Sequence, residues 1–234
     1  MRVGLDAHTL RQMNLDLLGL LDQTVAHGLE GVHFSASALL AQSEAERRQF
    51  LEKAHSHQLY LELVGAGVNP GRSGKSVAEI VAEWQPLFPL AAEVGSPILN
   101  TCFGLLKERT FTSPTLAEQL ELTAKVLREL GKMAADYGVI VTMELHVDLT
   151  SRELARLIET VDSPHVGVNL DTANALGLLE DPIEAARNLL PYVHTTHFKD
   201  TCIYLTAEGY NWLGGAPLGR GLVDLPTIVE MLYT

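Results

Sequence analysis

The sequence is poor in three features, and each scarcity excludes a class of protein. Only two cysteines occur in 234 residues, which is too few for a disulfide framework and fits a reducing cytosol. No apolar run approaches the roughly 20 residues that a membrane-spanning helix needs, and the first residues lack the regions of a signal peptide. Basic residues number 17 against 29 acidic ones, a net charge of −12, which argues against a nucleic-acid partner. We therefore expect a cytoplasmic protein.

The chain does contain enough apolar side chain for one large core. Hydrophobic residues make up 47% of it and charged residues 20%, which is ordinary for a globular protein. No linker or low-complexity tract divides the sequence. We predict a single domain over residues 1–234.

Strand and helix patterns alternate along the sequence. Apolar runs predict strands, and the segments between them open with helix-capping signals such as Ser43-x-x-Glu46 and Thr150-x-x-Glu153. Strict alternation of this kind implies a parallel sheet with right-handed crossovers. The predicted strands cover residues 3–5, 31–35, 59–64, 98–103, 139–145, 166–171 and 192–198.

Seven strand–helix units indicate an α/β fold of the (β/α)8 TIM barrel type, C-terminally truncated. The sequence ends at Thr234 inside an apolar helix pattern, so the eighth strand and helix are expected to be missing from it. An open doubly wound sheet is the structural alternative.

Metal-capable and other polar side chains recur at or near the predicted strands. In a barrel, functional groups lie at the carboxyl ends of the strands. Converging Glu, Asp and His side chains are the mixed ligand set of a divalent metal. We therefore predict that Glu144, Asp171 and His197 hold a metal ion. The polar residues, in chain order, are Asp6, His8, Glu62, Glu144, His146, Asp171, Asn174, His197 and Lys199.

Each of these side chains also has a purely structural interpretation. A carboxylate at a strand end is most often a helix N-cap or a solvated loop residue, and His197 alone fits a hydrogen-bonded core histidine. His146 is a metal ligand, a base or a loop residue. Lys199 either donates to a substrate hydroxyl or pairs with a carboxylate at the mouth. His194 has the opposite parity to His197 and is expected to face the helices.

Two loops and three aromatic residues carry weaker signals. Residues 71–76 (GRSGKS) resemble the end of a P-loop but lack its first glycine, so a flexible loop before a capped helix is the better interpretation. Arg220, after strand seven, either clamps a carboxylate or phosphate or is a solvated loop arginine. Phe34, Phe103 and Trp212 either wall a pocket or belong to the core.

Four short motifs, in order and at barrel spacing, carry a family resemblance. The motifs are ELHVDLTS (144–151), VNLDTAN (168–174), HFKD (197–200) and GRG with a following Asp (219–224). They resemble the sugar phosphate isomerase/epimerase family of xylose isomerase-like barrels, over essentially the whole chain. The resemblance implies one divalent metal ion held by Glu144, Asp171, His197 and a further Glu on the eighth strand. Mixed carboxylate and imidazole ligands suit Mn²⁺, Mg²⁺, Co²⁺ or Zn²⁺.

The chain departs from the family pattern at two positions. Asn174 stands where some relatives have a histidine, and Ile203 stands where epimerases of free ketoses use an arginine, which argues against a ketose 3-epimerase. The resemblance also covers dehydroshikimate dehydratases, inosose dehydratases and subunits that cleave C-glycosides.

The predicted activity is metal-dependent isomerisation or epimerisation of a sugar or sugar phosphate, by proton abstraction next to a carbonyl through an enediolate. A metal-dependent lyase is the alternative, because the same enolate can expel a leaving group. A non-catalytic or partner-dependent barrel is the alternative from another class, since an open edge beside strand seven invites pairing with another chain, as in a homo-oligomer. The candidate catalytic residues are Glu144, His146 and Lys199, and the candidate substrate-binding residues are His8, Glu62, Asn174 and Arg220.

Overall fold

Seven parallel strands form one sheet, in chain order, in a computed structural model that describes residues 1–207, 209–211 and 215–233. Sequential parallel order is that of a TIM barrel and excludes the doubly wound alternative, in which the strand order reverses. The α/β barrel prediction is thus confirmed, and in the described residues the sheet has seven strands, against the eight of a complete TIM barrel. The strands are β1 (Leu5–Asp6), β2 (Gly31–Ser35), β3 (Tyr60–Val64), β4 (Ile98–Thr101), β5 (Ile140–Glu144), β6 (Val166–Asp171) and β7 (Val193–His197).

The sheet is curled into an open barrel. Thr195 Oγ1 on β7 donates to Glu62 Oε2 on β3 at 2.9 Å, and His197 on β7 lies 3.2 Å from His33 on β2. In a flat sheet, β3 and β7 would be roughly 19 Å apart, at about 4.8 Å for each strand. Only strong curvature brings these side chains into contact, so the inner face encloses a polar interior.

Helices lie between consecutive strands and cover the outer face. The capping boxes that the sequence predicts at Ser43 and Thr150 form, and capping boxes at Ser76 and Thr115 also open helices. None of the helices in the described residues is long and apolar enough to cross a membrane. The helices are α1 (Leu17–Ala26), α2 (Ala36–Leu40), α3 (Glu44–Ser56), α4 (Pro70–Ser73), α5 (Val77–Trp84), α6 (Leu87–Val94), α7 (Leu116–Tyr137), α8 (Ser151–Val161), α9 (Pro182–Leu189) and α10 (Leu225–Tyr233).

The P-loop-like segment has a structural role. Its first part forms the short helix α4, Lys75 forms an ion pair with Glu83, and Ser76 caps α5. The capped helix predicted after GRSGKS is therefore confirmed, whereas residues 71–73 belong to α4 and not to a loop.

The core fills the layer between the sheet and the helices. Alternate strand residues such as Val141 and Met143 on β5 are buried there, while their neighbours face the barrel interior. Phe34 packs against Phe50 with ring centroids 5.2 Å apart, and Phe34 and Phe103 are both buried. Phe34 and Phe103 are therefore core residues, and Trp212 lies outside the described residues.

A β-bulge interrupts the alternation on β7. Val193 pairs with Val168 and Thr195 with Asn169, so His194 is an extra residue between two ladder pairs. Its ring packs against Gly167, where a Cβ atom would lie only 2.1 Å from His194 Cδ2. The expectation that His194 faces the helices assumed an unbroken alternation, and that premise is wrong.

The predicted loop at 200–223 contains short antiparallel pairs, β8 (Asp200–Thr201) with β11 (Gly215–Ala216) and β9 (Tyr204–Thr206) with β10 (Gly209–Asn211). Asp200 organises its end, because its carboxylate accepts hydrogen bonds from the amides of Gly221 at 2.7 Å and Val223 at 3.1 Å.

Candidate metal centre and active site

Glu144, Asp171 and His197, hereafter the metal trio, end three neighbouring strands, and the structure brings them together. One ligand atom of each lies within 4.8 Å of the other two. The parallel register pairs Glu144 with Asn169 and Asp171 with His197. The three side chains therefore leave the same rim of the barrel on its inner face.

Burial and mutual charge set the protonation of the metal trio. Burial raises the pKa of Asp171, and the charge of Lys199 offsets only part of that effect. Burial also acts to raise the pKa of Glu144, but a hydrogen bond and the charge of His197 outweigh it, so the pKa of Glu144 is lowered. The pKa of His197 is raised, because the contact with Glu144 and the charges of Asp6 and Asp171 outweigh its own burial. The surrounding carboxylates therefore favour a positive charge at the position of His197.

The donor set of the metal trio fits a divalent cation. Asp171 Oδ1 accepts hydrogen bonds from the amides of Ala173 and Asn174 at 3.0 Å each, which fixes the carboxylate. Its buried Oδ2 accepts no well-aligned hydrogen bond, although Lys199 Nζ lies 2.8 Å away as an ion-pair partner. Metal–ligand bonds of about 2.0–2.2 Å place donor atoms roughly 3–4.4 Å apart. His197 Nδ1 and Glu144 Oε2 are 3.5 Å apart, and the whole trio falls within 4.8 Å. The fourth ligand implied by the resemblance, a Glu on an eighth strand, has no counterpart among the described residues.

Asn174 and Lys199 link two members of the trio. Asn174 Nδ2 donates to Glu144 Oε1 at 3.3 Å, and Asn174 Oδ1 accepts from Lys199 Nζ at 2.8 Å. The same ammonium forms the ion pair with Asp171. Lys199 therefore pairs with a carboxylate at the mouth, the second of its two predicted roles, and its side chain remains 45% exposed.

Two further residues, Asp6 and His33, surround His197. His33 Nδ1 lies 3.2 Å and Asp6 Oδ2 lies 3.6 Å from His197 Nε2. Burial acts to raise the pKa of Asp6, but the hydrogen bond from His33 and the charges of both histidines outweigh it and lower that pKa. The sequence pattern marks Asp6 only as a strand-end residue, and His33 was not among the predicted site residues. The available signal for His33 was the alternation within GVHFS, which places it on the face of β2 that lines the barrel.

Three predicted substrate-binding residues have no contact with the trio. His8 is exposed, and its amide donates to Asp6. Glu62 accepts from Thr195 inside the barrel. Arg220 is exposed in a turn, where its amide donates to the Pro217 carbonyl. Among the described residues, no hydrogen bond or ion pair joins any of the three to the trio.

His146 belongs to a separate group. Potential ligand atoms of Cys102, His146 and Asp148 lie within 4.8 Å of one another. His146 Nδ1 donates to the Gly104 carbonyl at 3.0 Å. Burial raises the pKa of Asp148 to about 6, although the charge of His146 and nearby backbone amides oppose that effect.

Comparison with known proteins agrees with this architecture. The family model described as xylose isomerase-like TIM barrel matches residues 21–234. A curated relative, the 3-oxo-isoapionate decarboxylase of Pectobacterium atrosepticum, is 26% identical over 223 residues, which cover 93% of this chain and 73% of that protein.

Solved structures share the fold at lower identity. The IolI protein with a bound zinc atom is 21% identical, with a TM-score of 0.76 over 100% of this chain and 84% of that one. D-psicose 3-epimerase, solved in the presence of D-fructose, is 16% identical, with a TM-score of 0.74 over 94% of this chain and 76% of that one.

Proposed function

We propose that this chain, which belongs to the xylose isomerase-like TIM barrel family, is a divalent-metal-dependent isomerase or epimerase of a sugar or sugar phosphate. Proteins to which the chain is similar are described as epimerases, as a probable dehydratase and as a decarboxylase. The observation that carries the proposal is the metal trio: one ligand from each of three adjacent strands, all within 4.8 Å. A divalent cation held there would supply Lewis-acid polarisation of a substrate carbonyl and stabilise the negative charge of an enediolate.

The charge balance around the trio supports a bound cation. Asp6, Glu144 and Asp171 place three carboxylates around His197, and Lys199 forms an ion pair with one of them, Asp171. Mixed carboxylate and imidazole donors suit Mn²⁺, Mg²⁺, Co²⁺ or Zn²⁺. The IolI structure holds zinc, and we infer the same class of ion for this chain.

We assign the proton transfer to Glu144. Its carboxylate has a lowered pKa and is therefore ionised at neutral pH, as a base must be. His197 and Asn174 hold its two oxygens, at 3.5 and 3.3 Å, so the group is oriented at the rim. His146, the other candidate base from the sequence, is engaged by the Gly104 carbonyl, and we place it outside the proton transfer.

Lys199 is the proposed contact to a substrate oxygen. Two of its three donor positions face Asn174 and Asp171, and the exposed side of the ammonium is free to meet a hydroxyl, phosphate or carboxylate group. Asn174 forms hydrogen bonds with both Lys199 and Glu144. It would therefore hold the Glu144 carboxylate and the Lys199 ammonium in a fixed relative position.

The curated relative favours a second candidate, a lyase that acts on a 3-oxo acid. That relative is a decarboxylase and aligns over 93% of this chain. Decarboxylation of a 3-oxo acid breaks the bond to the carboxyl carbon, releases CO₂ and leaves an enolate, which then takes a proton from the solvent or an acid. The same Lewis acid would serve both reactions, so the two candidates differ in the bond that breaks.

Incubation of metal-loaded protein in D₂O with candidate ketoses, inososes and 3-oxo sugar acids separates the candidates. Deuterium at the carbon next to the carbonyl, detected by NMR in recovered substrate or epimer, supports isomerisation. An unsaturated product supports elimination, and bicarbonate with a shortened sugar supports decarboxylation. Asp171→Asn, which keeps an acceptor for the two loop amides, is the control that should lose every activity. A purified chain that bound no metal and ran only as an assembly would instead favour the partner-dependent barrel.

A further inference from the structure

A second cluster of metal-capable side chains lies at the same rim as the metal trio. Cys102 follows β4, and His146 and Asp148 follow β5; we call these three residues the Cys–His–Asp cluster. One potential ligand atom of each lies within 4.8 Å of the other two. The cluster shares no residue with the trio, and it contains the sulfur donor that the trio lacks.

The backbone of Gly104 holds the cluster in place. Its amide donates to Asp148 Oδ2, and its carbonyl accepts from His146 Nδ1 at 3.0 Å and lies 4.0 Å from Cys102 Sγ. Because a carbonyl can only accept, His146 Nδ1 carries a proton, and the neutral ring has its lone pair on Nε2. A backbone carbonyl that orients one ring nitrogen is the usual support of a metal-bound histidine.

One buried oxygen of the cluster has no hydrogen-bond partner. The Asp148 side chain is 0% exposed, and its Oδ1 accepts no hydrogen bond from the described residues. The amides of Asp148 and Leu149 lie near the carboxylate, but neither donates to Oδ1 with hydrogen-bond geometry. Arg109 donates to the Asp148 backbone carbonyl and to Glu153 instead. A fully buried carboxylate oxygen without a donor is unfavourable, and a cation would satisfy it.

We propose that the Cys–His–Asp cluster is a second metal site that binds Zn²⁺ through Cys102 Sγ, a ring nitrogen of His146 and the Asp148 carboxylate. Sulfur, nitrogen and oxygen donors together suit zinc and disfavour Mg²⁺ or Ca²⁺, which take oxygen ligands. On binding, a zinc–sulfur bond forms and the thiol proton passes to the buffer, while the imidazole binds in its neutral form. Three protein ligands leave the fourth, tetrahedral position for water.

Cobalt is a direct probe of this site, because Co²⁺ replaces zinc and a thiolate bound to it absorbs in the near ultraviolet. Metal-stripped, reduced protein is titrated with Co²⁺. We expect two equivalents to bind and one of them to produce the thiolate-to-cobalt band. Cys102→Ser should abolish the band, and Asp148→Asn should weaken binding at this site at least tenfold. Cys202→Ser is the matched control, because Cys202 is the other free cysteine and is exposed, and it should leave the band unchanged.

The test of the second metal site does not depend on the proposed function of the metal trio. Asp171→Asn should remove the equivalent bound by the metal trio and the activity, but leave the thiolate band intact. Zinc X-ray absorption of the unaltered protein, which needs no variant to fold, should show one sulfur ligand at about 2.3 Å. Zinc bound only by nitrogen and oxygen, no thiolate band in the unaltered protein, or a band that persists in Cys102→Ser, would each overturn the proposal.

Discussion

Replacement of Asp148 by Asn should stabilise the metal-free protein at neutral pH. Burial raises the pKa of Asp148 from 3.8 to about 6, and the side chain is fully buried. At roughly 1.4 kcal/mol for each pH unit, the ionised carboxylate costs the folded state about 3 kcal/mol. Asparagine keeps an oxygen for the Gly104 amide but carries no charge, so the variant should recover most of that free energy.

The sign of the pH dependence follows from the direction of the shift. Below pH 3.8 the carboxyl is protonated in both folded and unfolded chains, so the substitution changes little there. Between pH 3.8 and about 6 the carboxyl ionises in the unfolded chain but stays protonated in the folded chain. The free energy of unfolding of the parent protein therefore falls as the pH rises. Above that range the cost is constant. The advantage of Asp148→Asn should therefore appear as the pH rises through this window and then level off.

Urea unfolding in EDTA, followed by circular dichroism at several pH values from 4.5 to 7.5, measures this advantage. Asp136→Asn is a matched control, because Asp136 is exposed on α7 and the change there should stay within about 0.5 kcal/mol. A variant that is less stable than the parent at pH 7.5, or equally stabilised at every pH, would refute the reasoning. With zinc present the order should reverse, since the variant lacks a ligand of the proposed second site.

Three further predictions concern the trio and the loop after β7. Asp171→Asn should weaken binding of Mn²⁺ to the metal trio by about 100-fold or more, measured by calorimetry; unchanged affinity would exclude Asp171 as a ligand. Lys199→Met removes a cation 2.8 Å from Asp171, so it should tighten metal binding about tenfold while it lowers turnover, and weaker metal binding would contradict this account. Gly221→Ala should destabilise the protein by about 1–3 kcal/mol, because a Cβ there would lie 2.1 Å from Asp200 Oδ1; Gly215→Ala, with its nearest atom at 3.9 Å, is the control, and equal effects would show that the contact does not matter.

The sequence determined the order of elements and the grouping of Glu144, Asp171 and His197. Both follow from local patterns: apolar periodicity marks the strands, capping boxes mark the helix starts, and alternation places Glu144, Asp171 and His197 on one face of each strand. Parallel strands bring their carboxyl ends to one rim, so the grouping of these three residues needed no knowledge of distances.

Only the tertiary structure decided what surrounds the trio. Curvature of the sheet brings His33 on β2 against His197, 164 positions later, and no local pattern encodes that distance. The β-bulge at His194 breaks the alternation from which its orientation was inferred. Both Lys199 and Arg220 are exposed, but Lys199 forms an ion pair with Asp171 whereas Arg220 lies in a turn.

The Cys–His–Asp cluster shows the same division. The sequence places His146 and Asp148 two residues apart, but it does not connect them to Cys102, which follows a different strand. Gly104 makes that connection through its amide and carbonyl, across 44 and 42 positions. Backbone hydrogen bonds in loops carry no sequence signature of their own, because any residue supplies the amide and the carbonyl. The grouping of side chains at strand ends can therefore be predicted from the sequence, whereas contacts made by the loop backbone are formed only when the barrel folds.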